Sequence, residues 1–258
     1  ATAIAAIGIS VATAVVPPTV GTLLSFLDWR ATLAGLAGAV WLLVCLTVLF
    51  AFPGGVVQGA SAARDNNLGR EVYRHPAFWL IGLSVALGMN VAVVLAVCYP
   101  PLFANKGFTM AEAGWFLSSA GVAGLLGKTV IAWLGDAGRT HAKWLAAGIL
   151  GFNAIALLLL LRADSGTAVL AALLLAGFSG GAFLPIQPYL NSRYFDASII
   201  GQVNGSQMPL FLPFGLVGAP LAGLAFDRTG SYDLVLVVLA CVLVLAALLA
   251  LRLPPGER

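Results

Sequence analysis

The chain has 258 residues, of which 60% are hydrophobic and only 9% charged, with a formal net charge of +3. A soluble domain carries about 25% charged residues, so this composition excludes a soluble enzyme, a nucleic-acid-binding protein and a disordered chain. Charge-free stretches run from Ala31 to Ala63, His75 to Asn105, Ser165 to Ser192 and Ala197 to Phe226, and each exceeds the roughly 18 apolar residues that mark a membrane-crossing helix. The fold class expected is an all-α, polytopic membrane protein.

Helices are predicted at roughly 3–26, 32–52, 77–99, 112–134, 144–161, 168–190, 202–225 and 234–252. A β-barrel is excluded because the runs are continuous and do not alternate in ten-residue segments. The first helix begins almost at Ala1, and no basic residue precedes Arg30. A signal peptide would open on a basic region, so the expectation is a chain whose N-terminal part is missing. The longest polar stretch, PGGVVQGASAARDNNLGREVYRHP at 53–76, reads as a linker. It separates two helices (1–52) from a six-helix unit (77–258). Placing the first helix start in the cytoplasm puts eight Lys and Arg residues on that side, including Arg64, Arg139, Lys143 and Arg193, and four on the other: Arg30, Lys106, Arg162 and Arg228. The positive-inside rule then sets the linker, residues 136–143 and the C-terminus in the cytoplasm.

Lys128 is the charged residue that falls in the interior of a predicted span, roughly 12 Å from the helix end at Asp136. A charge in the bilayer costs about 2.5–3.5 kcal/mol and usually faces a cavity or the bundle interior. Ser118, Gly121, Gly124 and Lys128 recur at three- and four-residue steps and so share one small, polar side of the helix. One reading is an ammonium that binds an anionic substrate; the other is a lysine whose stem snorkels to the interface. Uncharged polar residues mark further candidate substrate positions: Asn90, then Gln187 with Asn191, then Asn204 and Gln207 on a stripe with Phe211 and Gly215. Such amides either meet substrate or hydrogen-bond between helices. The 30 glycines and prolines such as Pro185, Pro188, Pro209 and Pro213 suit helices that bend, and equally suit static close packing. Gly127-Lys128-Thr129 is not a phosphate loop, since Val122 stands where the opening glycine is required.

All ten acids map to loops or helix ends, so the spans offer no proton-relay carboxylate. His75 and His141 fall at the surface. Cys45, Cys98 and Cys241 are far apart and carry no metal-ligand spacing. No catalytic residue, metal site or cofactor is therefore expected, and the chain is not read as an enzyme. A membrane-embedded enzyme would need an intramembrane nucleophile, metal cluster or acid pair, and a scaffold would not need a buried lysine.

The ends of the chain echo each other. VVPPTVGTLLSFLDWRATLAGLAG (15–38) and LVGAPLAGLAFDRTGSYDLVLVVL (216–239) each place a Pro-containing helix end before an Asp, an aromatic residue and a second apolar run. Duplicated halves are a common plan of secondary transporters. In this respect the chain resembles the major facilitator superfamily of transporters, with two six-helix halves joined by a cytoplasmic linker. The resemblance equates the eight spans with the superfamily's fifth to twelfth and leaves the first four absent. AWLGDAGRTHAK (132–143) is similar to the family's loop pattern, though one residue shorter and with Ala137 where a basic residue is usual. GFSGGAFLPIQPYLNSRYF resembles the tenth helix, and GAPLAGLAFDRTGSY the connection after the eleventh. Pro17-Pro18, Trp29-Arg30, the DRTGSY loop and the depth of Lys128 resemble the monocarboxylate and oxalate–formate branch.

That resemblance implies a monomeric secondary transporter in the plasma membrane, the inner membrane of a bacterium. It implies alternating access and a small organic solute, a mono- or dicarboxylate, moved with a proton or against a counter-anion. The lipid bilayer is then its other partner, with no nucleic acid involved. It also implies a cytoplasmic latch at Asp136 and Arg139, which otherwise read as a solvated turn. An exporter of drugs or neutral solutes is the alternative and would make Lys128 structural.

Overall fold

The computed structural model describes residues 2–51, 70–137 and 142–254, with side chains over 11–50, 71–131 and 142–254. Among the described residues every regular element is helical. The elements are α1 (Thr2–Leu23), α2 (Trp29–Ala51), the short α3 (Arg70–Arg74), α4 (Pro76–Asn105), α5 (Met110–Ala137), α6 (Ala142–Leu161), α7 (Gly166–Phe183), α8 (Ile186–Tyr194), α9 (Ile200–Gln207), a 3₁₀ turn at Met208–Leu210, α10 (Phe211–Thr229) and α11 (Asp233–Leu251). Seven helical segments among the described residues are long and apolar enough to cross a membrane, and Val11–Leu23 adds a shorter one. The chain is thus an all-α polytopic bundle. The boundary expected at 53–76 falls mainly on residues outside those described.

Two of the expected spans are interrupted. The sixth divides into α7 and α8 around Leu184 and Pro185, and the seventh into α9 and α10 around Met208–Leu210. Proline lacks the amide hydrogen that a helix needs, and Pro185 and Pro209 sit at those breaks. α4 does the reverse. It runs through Pro100 and Pro101 to Asn105, beyond its expected end at 99.

Local signals set several ends. Thr109 and Glu112 form a reciprocal capping box at the start of α5: the Thr109 amide donates to Glu112 Oε2 at 2.8 Å, and the Glu112 amide donates to Thr109 Oγ1 at 3.3 Å. Ser165 Oγ accepts from the Ala168 amide at the start of α7. Gly230, at φ +68°, closes α10 in the left-handed conformation that glycine adopts without a steric penalty.

The helices pack as a succession of neighbours: α1 on α5, α5 on α7, α7 on α6, α6 on α11, α11 on α4, and α4 on α10. One apolar core runs through the later helices, with Ile81, Val91, Leu150, Leu157, Leu173, Leu236 and Leu243 buried. Ser84 Oγ ties α4 to α11 by donating to the Ala246 carbonyl at 2.9 Å. Side-chain packing gives way to backbone contact along α5. A methyl placed on Gly181 would strike the Gly124 backbone, and one on Gly177 would strike Ala120. On the adjoining face, a methyl on Gly121 would come within 2.6 Å of the Ala14 amide nitrogen, and one on Gly114 within 2.9 Å of the Pro17 carbonyl oxygen. Small residues at these positions let membrane helices approach closely enough for dispersion to hold them, since lipid supplies no hydrophobic drive. α2 stands apart: among the described residues it packs extensively on no other helix, and Trp41, Leu43, Leu49 and Phe50 are exposed.

Candidate functional site

Lys128 is buried, with 8% of its surface exposed. It lines a cavity of about 340 Å³ bounded by α1, α4, α5, α6 and α7. Glycine makes the room: Gly121 and Gly124 on α5, and Gly177, Gly180 and Gly181 on α7, all border the space. Beside Gly180 nothing lies within 4 Å of where a Cβ would stand. The remaining wall is apolar apart from Thr13, Tyr99 and Asn153. Tyr99 is held by a parallel stack on Phe103, with ring centroids 5.6 Å apart. Low-dielectric walls around an ammonium strengthen its attraction for an anion that enters. The stripe expected on α5 divides between neighbours. Ser118 Oγ donates to the Ala14 carbonyl of α1 at 2.6 Å, while Gly124 meets α7.

The other expected site residues lie elsewhere. Gln187, Asn191, Asn204 and Gln207 form a hydrogen-bonded cluster across α8 and α9. Gln207 Oε1 accepts from Gln187 Nε2 at 3.0 Å and from Asn191 Nδ2 at 2.8 Å. Gln207 Nε2 donates to the Phe78 carbonyl of α4 at 3.0 Å, and Asn191 Nδ2 also donates to Asn204 Oδ1. Asn191 and Gln207 are fully buried. The cluster joins the half-helices on either side of the 195–199 turn to the start of α4, next to both helix breaks. Replacing Gln207 with Leu would strip partners from Gln187 and Asn191 and from the Phe78 carbonyl. Asn191 Nδ2 keeps Asn204 Oδ1, but Gln187 Nε2 loses its acceptor, and a buried group so orphaned costs about 1–3 kcal/mol. The expected outcome is a clear loss of thermal stability in detergent, followed by tryptophan fluorescence; an unchanged melting temperature would contradict the bracing role.

Asn90 borders a different space, an apolar crevice of about 540 Å³ between α4, α10 and α11. Its Oδ1 is buried without a hydrogen-bond partner among the described residues and lies where a methyl on Gly218 would fall. Asp136 is in the last turn of α5, but its side chain, like the whole of Arg139, lies outside the described residues. Asn153, on α6, is a further cavity residue, absent from the candidates above. Its only signal was an amide in an otherwise apolar span. Among the described residues no three His, Cys, Asp or Glu side chains gather as a metal site.

A family model described as Major Facilitator Superfamily matches residues 1–212 and 78–258 of the chain. Among curated proteins, the chain is 25% identical over 241 residues to monocarboxylate transporter 13 of Bos taurus, covering 90% of this chain and 54% of that protein. It is 24% identical over 256 residues to monocarboxylate transporter 13 of Rattus norvegicus, covering 96% of this chain and 58% of that one. The chain therefore spans little more than half the length of the curated relatives it matches.

Proposed function

Because this chain belongs to the major facilitator superfamily, we propose that it serves in a secondary transporter that carries a small organic anion, a mono- or dicarboxylate, across the membrane by alternating access. The observation that carries this reading is the burial of Lys128 in a cavity with otherwise uncharged walls. A cation within a span usually faces a cavity or the bundle interior, where it can attract an anion. The carboxylate would bind at the Lys128 ammonium while the small apolar lining surrounds its carbon skeleton. The names of the two monocarboxylate transporter relatives support the same substrate class. Coupling by a co-transported proton or by exchange against a second anion fits spans whose described interiors hold no acid.

The excess of Lys and Arg beside α3, the 136–143 connection and Arg193 supports a cytoplasmic location for that end, in the plasma or bacterial inner membrane. Asp136 and Arg139 would latch the same end. We take the transporter to act as a monomer.

The test is uptake into proteoliposomes by the full-length protein, with labelled mono- and dicarboxylates run beside a neutral sugar and an organic cation. Saturable carboxylate uptake, competed by other carboxylates and not by their amides, is expected. Uptake confined to the neutral or cationic solutes would overturn the anion reading and demote Lys128 to a structural role.

A further inference from the structure

Within a membrane span an amide without a partner is costly, since each unpaired polar group forfeits about 2–7 kcal/mol on leaving water. The amides of this chain divide sharply on that criterion. Gln187, Asn191, Asn204 and Gln207 bond one another, whereas Asn90 Oδ1 is buried without a partner beside the apolar crevice and Asn153, half-buried, makes no hydrogen bond among the described residues. Asn153 is half-buried on α6, with its helix neighbours Leu150, Ala154 and Leu157 in the core and Phe152 and Ile155 exposed. It borders the same cavity as Lys128.

The two also sit at similar depth. Lys128 lies about 14 Å along α5 from Ala137, and Asn153 about 17 Å along α6 from Ala142, counting 1.5 Å per residue from ends that residues 138–141 join. Between these helices stands α7, which packs on both. Its Gly180 presents no side chain into the gap and has open space beside it. A molecule held at Lys128 thus shares its cavity with an amide at a similar level, offering both a donor and an acceptor.

Resting on the carboxylate reading above, we infer that Asn153 is a specificity-determining contact: its amide hydrogen-bonds a hydroxyl or carbonyl oxygen carried on the substrate's carbon skeleton, while Lys128 holds the carboxylate. Asn153 therefore distinguishes oxygenated short-chain acids from plain fatty acids of the same length. Sites that hydrogen-bond a substituent reject the analogue lacking it, because the protein group is then left unpaired.

The experiment compares butyrate, 2-hydroxybutyrate and 3-hydroxybutyrate as labelled substrates of the full-length protein in proteoliposomes. Wild type, Asn153→Leu and Asn153→Ser are run with Lys128→Gln as reference. Asn153→Leu is expected to raise KM for at least one hydroxy acid about three- to tenfold, the worth of one uncharged hydrogen bond. Butyrate should be unchanged or improved, and Asn153→Ser should recover part of the preference. If the Leu variant fails to reach the membrane, Asn153→Ala carries the same comparison. An equal loss for all three acids would make Asn153 structural and overturn the inference. No change in any of them, with Lys128→Gln still inactive, would overturn the inference and leave the carboxylate reading standing. Wild-type vesicles that move none of the acids would remove both.

Discussion

Replacing Lys128 with Gln is expected to lower carboxylate uptake at low substrate concentration by about 10- to 100-fold, with the protein still inserted and present at wild-type level. The magnitude follows from losing a charge-assisted hydrogen bond, worth about 1.5–3 kcal/mol, at a buried position. Gln keeps hydrogen-bonding capacity and most of the volume, so the change isolates the charge. Lys128→Arg should retain part of the activity, because a guanidinium also meets a carboxylate, although its planar fork needs more room than an ammonium. The glycine lining of the cavity gives it some of that room. Initial uptake rates across a concentration series, normalised to protein in the vesicles, are the readout. Carboxylate transport by Lys128→Gln at the wild-type rate would remove this residue from the binding site.

The second large effect concerns the backbone contact between α5 and α7. Gly181→Val is expected to destabilise the protein by about 1–3 kcal/mol, the usual cost of overpacking, because the added carbons collide with the Gly124 backbone and not with a side chain that could turn aside. The neighbouring Gly180→Ala should behave in the opposite sense. Open space lies beside Gly180, and alanine is favoured over glycine inside a helix by about 1 kcal/mol. Thermal unfolding in detergent should therefore place Gly181→Val below wild type and Gly180→Ala at or above it. Equal behaviour of the two variants would mean that α5 and α7 are not in backbone contact in the membrane.

The helices were legible because charge-free apolar runs long enough to span a bilayer have few other interpretations. Where those runs break was less legible. Pro185 and Pro209 mark true interruptions, while Pro100 and Pro101 lie inside a helix that continues past them, so proline alone did not discriminate. Helical spacing put Asn204 and Gln207 on one face, but it could not say what that face meets. The partners of Gln207 arrive from α8 and from the Phe78 carbonyl of α4, the latter far away in sequence. For the same reason the stripe through Ser118, Gly121, Gly124 and Lys128 looked like a single lining. In the fold it is shared between α1, α7 and the cavity. Asn153 went unnoticed since an isolated amide in an apolar run has no periodic companion. Only the missing hydrogen bond and the shared cavity distinguish it.

The flatness of α5 on two sides has a mechanical consequence. Interlocked side chains act as teeth: one helix can pass another only by jumping a full turn, over a barrier set by the side chains that must be displaced. Along the line where α5 meets α7, glycine and alanine remove those teeth, and the surfaces in contact are lengths of main chain; against α1 the glycines do the same, but Ser118 adds a hydrogen bond to the Ala14 carbonyl. Such a seam resists being pried apart, since the dispersion contacts are dense. α5, the helix that carries Lys128, therefore meets α7 without the side-chain interlock that would fix its axial register tooth by tooth.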